Sequence, residues 1–328
     1  MYNSRMISMD NTIKTPIAFF VFNRPNITQK VFNEIRKAKP EKLFLVADGP
    51  RNQAEKQKCD DVKKIIGNVD WKCEVYKNYS VINMGCDPRI ASGINWVFQN
   101  TDRAIFLEDD CFPNQSFFRF CDELLEKYKD DKEIMHISGD NFQTGNKKFK
   151  CKEDYYFSTI SQSWGWATWK RSWNLYDKDL KRWPEAKKSN LLGKIFDDKA
   201  YADYWENLLQ KFYERQRVNW DGRWTFACFV NRGLCIMPKV NLISNIGFGE
   251  SATHTKQQKH KSANLPTYPI EFPLTHPDKK TTNQIADDYT MKQFFGVNEN
   301  LKQTIKWWLK SMFPAPYRYL KNLHYRNI

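Results

Sequence analysis

"AIFLEDDCFPNQSFF", residues 104–118, sets an apolar run directly before three carboxylates and then a helix-like stretch. The run Ala104–Leu107 has the length and composition of a buried strand. Glu108, Asp109 and Asp110 follow at its C-terminal end, and Asn114 stands where a helix cap belongs. Three adjacent acids repel one another, so a fold gains nothing from placing them there. The simplest reason to place them there is a cation. Hard Mg²⁺ or Mn²⁺ takes oxygen ligands, usually one or two carboxylates plus phosphate and water.

Outward from this stretch the same pattern recurs. "PIAFFVFN" (16–23) and "KLFLVADGPR" (42–51) read as buried strands, and "KCEVYKNYS" (72–80) as a third. Helix-like segments separate them: "NITQKVFNEIRKA", "EKQKCDDVKKIIGNV" and "RIASGINWVFQNT". A helix "QSFFRFCDELLEKYKDD" and a strand "EIMHISGDNF" follow the acidic stretch. Such alternation predicts an α/β sheet of mostly parallel strands with right-handed crossovers. Ligands of such sheets bind beyond the C-terminal strand ends. Arg24, Asp48 and the 108–110 cluster all fall at those ends.

After residue 150 the character changes. "YYFSTISQSWGWATWKRSW" is aromatic and punctuated by glycine, and a charged helical stretch runs from about 174 to 215. Residues 249–285 are rich in Lys, Gln, Thr, Pro and His and read as a loop or lid. At the end, Leu301, Ile305, Trp308, Leu309 and Met312 share one helical face, with Lys302, Lys306 and Lys310 off it. A basic, Trp-bearing amphipathic helix suits an anionic membrane surface.

The 328 residues carry 41% hydrophobic and 27% charged side chains, which are globular values. The net charge of +14 permits anionic partners, but no basic-aromatic nucleic-acid motif accompanies it, so nucleic acid is not expected as a partner. The eight cysteines include no C-x-x-C pair and several lie in apolar runs, which predicts reduced thiols in a cytoplasmic protein. The first residues contain no apolar core of a signal peptide, and no apolar run reaches the length of a membrane span.

"FNRPN", "VADGPR", "NMGCDPRIASGINWVF", "AIFLEDDCFPNQSFF", "SGDNF", "SWGWATWKRSW", "NWDGRW" and "NIGFGESATHT" together resemble a bacterial branch of the GT-A type nucleotide-sugar glycosyltransferases. The acidic triplet and the Trp-Asp motif are similar to those of N-acetylglucosaminyltransferase I. The resemblance covers roughly residues 15 to 256. It implies a Rossmann-like, mostly parallel sheet flanked by helices with a C-terminal, acceptor-side extension. The chain then divides into a tail (1–14), a nucleotide-sugar half (15–150), an acceptor and catalytic half (151–256), a loop or lid (257–300) and the basic helix (301–328). It also implies residue roles. Asp110 would ligate Mn²⁺ or Mg²⁺ and Asp109 would contact the donor's ribose or sugar, beside Glu108. Arg24 and Asp48 would bind the base, and His254 would add a C-terminal metal ligand. Asp221 would be the catalytic base, although Gly222 and Arg223 follow it where the related motif has a second Asp. Arg89, near the start of a helix facing the rim, is a candidate anion contact with Lys256. Trp164, Gly165 and Trp166 are candidates for an acceptor platform.

The expected activity is transfer of a sugar from a nucleotide-diphosphate sugar, a UDP-sugar, to a glycan or lipid-linked saccharide, with inversion, at the inner face of the cell membrane. Two other readings stay open. A sugar-phosphate nucleotidyltransferase would carry a Gly-rich basic loop after its first strand, and "FNRPN" has neither Gly nor Lys. A non-catalytic sugar- or nucleotide-binding module would need no base and no metal ligands.

Overall fold

In the computed structural model, residues 13–216, 219–248 and 263–297 are described. The first strand, β1 (Ile17–Val21), is buried along its whole length and shows how the layers are built. Ile17, Phe19 and Val21 face one core, while Ala18 and Phe20 face another. A strand covered on both faces needs apolar residues at every position, which is why this run does not alternate with polar residues.

Three strand–helix units and a fourth strand come first: β1, α1 (Pro25–Ala38), β2 (Lys42–Ala47), α2 (Gln53–Gly67), β3 (Glu74–Tyr79), α3 (Cys86–Asn100) and β4 (Arg103–Glu108). β5 (Cys111–Pro113), α4 (Gln115–Lys127) and β6 (Ile134–Ser138) follow, with Asn114 capping α4 by accepting from Ser116 N at 3.0 Å. The aromatic stretch then forms β7 (Tyr155–Ser158), β8 (Trp166–Trp169) and α5 (Lys170–Trp173). The charged stretch breaks into three helices, α6 (Trp183–Lys188), α7 (Leu191–Ile195) and α8 (Lys199–Tyr213). α9 (Trp220–Val230), β9 (Leu234–Pro238), β10 (Ile243–Asn245) and α10 (Gln284–Gln293) complete the order.

The main sheet has eight strands in the order β3-β2-β1-β4-β8-β6-β9-β7. β3, β2, β1, β4, β6 and β9 are parallel, whereas β8 and β7 run against their neighbours. The fold is therefore α/β, a mostly parallel Rossmann-like sheet flanked by helices. α1, α2 and α4 cover one face, and α3 and α9 the other. A third apolar cluster joins α6, α8 and α9 through Trp183, Trp205 and Phe226.

The second sheet is the antiparallel pair β10–β5, with Asn245 opposite Cys111. It draws the chain after β10 back to the end of β4, and Ile246 N donates to Asp110 O at 2.9 Å.

The structure adds two features to the sequence reading. The antiparallel strands β7 and β8 arise in the aromatic stretch, where no strand was read. The segment 257–300 is not wholly loop, because α10 docks there. Asp287 on α10 is buried and accepts from Ser158 Oγ at 2.6 Å and Thr159 N at 2.9 Å. All eight cysteines are free, and five of them are buried. Among the described residues, no helix is long and apolar enough to cross a membrane. The expected basic helix 301–328 lies outside the described residues, as does the tail up to residue 12.

Candidate active site

A cavity of about 580 Å³ opens at the C-terminal ends of β1, β2 and β4. Arg24, Asp48, Arg89, Glu108, Asp109, Asp110, Trp164 and Asp221 all line it. Segments nearly 200 positions apart thus meet at one rim.

The positive partner of the acidic run is in part Arg24. Its Nε donates to Asp109 Oδ2 at 3.2 Å, and its Nη2 bonds Asp109 Oδ1 and reaches Asp110 Oδ2 at 3.0 Å. Burial works against the guanidinium's charge, but Asp109 and Asp110 hold it firmly protonated. One monovalent cation can balance only one ionised acid of the three. Glu108 is pushed up to about 8 by burial and by the charges of Asp110 and Asp109. At neutral pH the cluster therefore still favours added positive charge.

Asp110 sits in a cradle made by glycine. A Cβ on Gly247 would lie 2.2 Å from Asp110 Oδ2, so only glycine lets the chain after β10 pass this close. Do these residues fit a divalent ion? Among the described residues no group of three or more His, Cys, Asp or Glu is placed to hold a metal ion by itself. The rim offers a few carboxylate oxygens, which suits a hard cation that keeps sites for phosphate and water. Were Mg²⁺ or Mn²⁺ bound here, Asp110 would be its ligand on this side of the cavity. His254 and Lys256 lie outside the described residues.

Asp221 is the second residue of α9, whose cap Asn219 accepts from Gly222 N at 3.0 Å. Ser163 Oγ reaches Asp221 Oδ2 at 3.4 Å. The nearby Arg223 does not pair with Asp221, because side chains two apart on a helix do not face each other. Arg223 Nη2 instead meets Asp87 Oδ2, 3.3 Å away at the start of α3. Desolvation and the charges of Glu108, Asp221 and Asp87 together raise the Cys86 thiol. Asp221 therefore shares its electrostatic surroundings with the acidic cluster.

Other expected residues are used differently. Asp48 is buried and accepts from Gly49 N and Met84 N on Oδ1, both at 2.9 Å. Its Oδ2 accepts from Asn83 Nδ2 and Gly85 N, both at 3.0 Å. Those four bonds use the lone pairs of a carboxylate, so Asp48 holds the 83–85 loop rather than offering a free acceptor. Arg89 is buried in the first turns of α3, which starts at Cys86, three residues before the expected start. It donates to Ala47 O at 3.2 Å and Asn78 Oδ1 at 2.9 Å, tying the ends of β2 and β3.

The aromatic trio separates. Trp164 lines the cavity and is braced by Phe142, Phe248 and Phe294 at centroid distances of 5.4, 5.8 and 5.7 Å. Gly165 has φ +64°, and a Cβ there would strike Ile243 at 2.5 Å, so its role is backbone packing. Trp166 is 3% exposed and stacks on Phe106 at 4.8 Å and His136 at 5.2 Å. It is a core residue and has no face to offer an acceptor.

Several residues of the site escaped the sequence reading. Asn83, Asp87, Ser163 and Gly247 all line the cavity. Asn83, Asp87 and Gly247 lie within "NMGCDPRIASGINWVF" and "NIGFGESATHT", but a polar or glycine residue in a loop carries no period that marks its role.

No protein-family model matches the chain. No curated protein matches it either. Solved structures similar in part include UDP-glucose pyrophosphorylase complexed with UDP-glucose, at 10% identity and TM-score 0.26, covering 46% of this chain and 64% of that one. A 4-diphosphocytidyl-2C-methyl-D-erythritol synthase from Anaerococcus prevotii matches at 12% identity and TM-score 0.32, over 51% of this chain and 75% of that one. Mouse xyloside xylosyltransferase 1 matches at 10% identity and TM-score 0.30, over 66% of this chain and 82% of that one. The chain thus spans under two thirds of the length of the first of these. At such scores function has to be inferred from the site itself.

Proposed function

We propose that the chain is a metal-dependent glycosyltransferase that uses a nucleotide-diphosphate sugar, a UDP-sugar, and transfers the sugar with inversion to a glycan or lipid-linked saccharide. The observation that carries this reading is the shared cavity. It gathers an acidic, Gly247-cradled rim, a separate carboxylate at the start of α9 and an aromatic wall.

In this reading each group has a task. Bound Mg²⁺ or Mn²⁺ supplies positive charge to the leaving diphosphate. Arg24 fixes Asp109 and Asp110 in place and limits their mutual repulsion. Asp221 accepts the proton of the attacking sugar hydroxyl, a role that needs a carboxylate within hydrogen-bond reach and is worth about 10²–10⁴-fold. Trp164 offers an apolar surface against the acceptor ring. The basic segment 301–328 would hold the enzyme at an anionic membrane. Unchanged membrane fractionation after its deletion would remove that part of the proposal.

The test is calorimetric titration of UDP with and without Mn²⁺, on wild type and Asp110→Ala. Metal-dependent binding that Asp110→Ala abolishes supports the donor site. Absence of UDP binding under both conditions overturns it. Release of UDP from a UDP-sugar then separates a transferase from a nucleotidyltransferase, which releases diphosphate from a nucleoside triphosphate.

A further inference from the structure

The far end of the cavity, at the tips of β2 and β3, has its own donor and acceptor pattern. In the sheet order it is one to two strands from β1 and two to three from β4, so about 10 Å from the acidic cluster at ordinary strand spacing. If the diphosphate lies at the acids, the nucleobase reaches this end. The loop that walls it is rigidly held. Met84 N and Gly85 N donate to Asp48, and Ser80 Oγ donates to Ile82 O at 2.6 Å.

Asn83 is the informative residue. Its Nδ2 donates to Asp48 Oδ2 at 3.0 Å and to Gly49 O at 2.8 Å. Both partners are acceptors only, so the amide cannot be turned over without setting oxygen against oxygen. Both amide hydrogens are therefore spent, and the side chain still lines the cavity. Its Oδ1 accepts no hydrogen bond among the described residues and is not among the buried unpartnered atoms. Asp48, the carboxylate expected to read the base, has no lone pair left.

Resting on the proposed function above, we infer that Asn83 Oδ1 is the acceptor that selects the nucleobase, and that it selects a base presenting a ring N–H, such as uracil, over cytosine. Uracil N3 carries a hydrogen and would donate to Oδ1. Cytosine N3 is an acceptor and would set a lone pair against it. A site built around one polar contact rejects the analogue that cannot make it, because the protein group is then left unpaired.

The experiment compares UDP, CDP and N3-methyl-UDP by calorimetry on the full chain with Mn²⁺ present. UDP is expected to bind at least about ten-fold tighter than either of the others. Asn83→Ala is expected to bind UDP and CDP alike. Equal binding of UDP and N3-methyl-UDP to wild type overturns the inference and leaves the glycosyltransferase reading intact. A preference for UDP that survives in Asn83→Ala overturns Asn83 as the reader. No binding of any nucleoside diphosphate overturns the site reading and this inference together. If Asn83→Ala does not fold, the three-ligand comparison on wild type still overturns the inference when the three ligands bind alike.

Discussion

Replacing Gly247 with alanine tests the metal side of the site without touching an acid. The added Cβ would stand 2.2 Å from Asp110 Oδ2, 2.7 Å from its Cβ and 2.8 Å from its Cγ. Folded proteins do not keep such contacts below about 3 Å, so the Asp110 carboxylate must move by about 1 Å. That oxygen is the one Arg24 Nη2 holds at 3.0 Å, so the shift also loosens the ion pair. A misplacement of about 1 Å in a positioned group costs roughly 10²-fold in rate, which is about 2.7 kcal/mol. Overpacking of this kind lowers stability by only about 1–3 kcal/mol, so the variant should stay folded. The assays are thermal unfolding, UDP titration with Mn²⁺, and UDP release from the UDP-sugar, run beside Asp110→Asn. The expected result is a folded Gly247→Ala protein with metal-dependent binding and turnover reduced about 10²-fold. If Gly247→Ala matches wild type while Asp110→Asn loses binding, the cradle argument is wrong. If both match wild type, Asp110 does not hold the metal.

Three further outcomes are expected. Asp221→Asn should lower kcat by about 10²–10⁴-fold and leave UDP affinity unchanged, and a parallel fall in affinity would show Asp221 to be a donor contact instead. Arg24→Met leaves Asp109, 4% exposed, without its ion partner, and should cost about 3–5 kcal/mol in urea unfolding. A loss below about 1 kcal/mol would mean that Arg24 does not neutralise the acids. Asp287 is pushed up to about 6 by burial, so its contribution to stability is complete below about pH 4 and is lost as pH rises through 6. Wild type should therefore lose up to about 3 kcal/mol against Asp287→Asn between pH 4 and 7. The comparison with the variant is needed because buried His136, lowered to about 4, works in the opposite direction. A constant difference across that range would contradict the shift at Asp287.

The β-α alternation was legible because it rests on local pattern. Strands such as β1 and β2, buried on both faces, must be apolar throughout, and α1 and α4 must carry an apolar stripe. Their C-terminal ends then place Arg24, Asp48 and the 108–110 acids on one rim by topology alone. β7 and β8 were not legible. They are four residues each, and they owe their strand form to pairing with β9 and with β4 and β6, partners distant in sequence. α10 was hidden for a similar reason, since its helix has a weak apolar pattern and is secured by buried Asp287 bonding to Ser158 and Thr159.

By itself the sequence determined which residue types stand at the strand ends, because chain direction and hydrophobic period settle that locally. What each group is bonded to was decided only in three dimensions. Asp48 and Arg89 are turned into the protein by the loop and strand ends they meet. Trp166 is taken into the core by Phe106 and His136, while Trp164, two positions earlier, is left at the cavity. Asp110 is cradled by Gly247 only because β10 pairs with β5. Hydrogen bonds and close contacts join atoms whose separation along the chain carries no period, so only the folded chain determines which of them are spent and which remain available to a ligand.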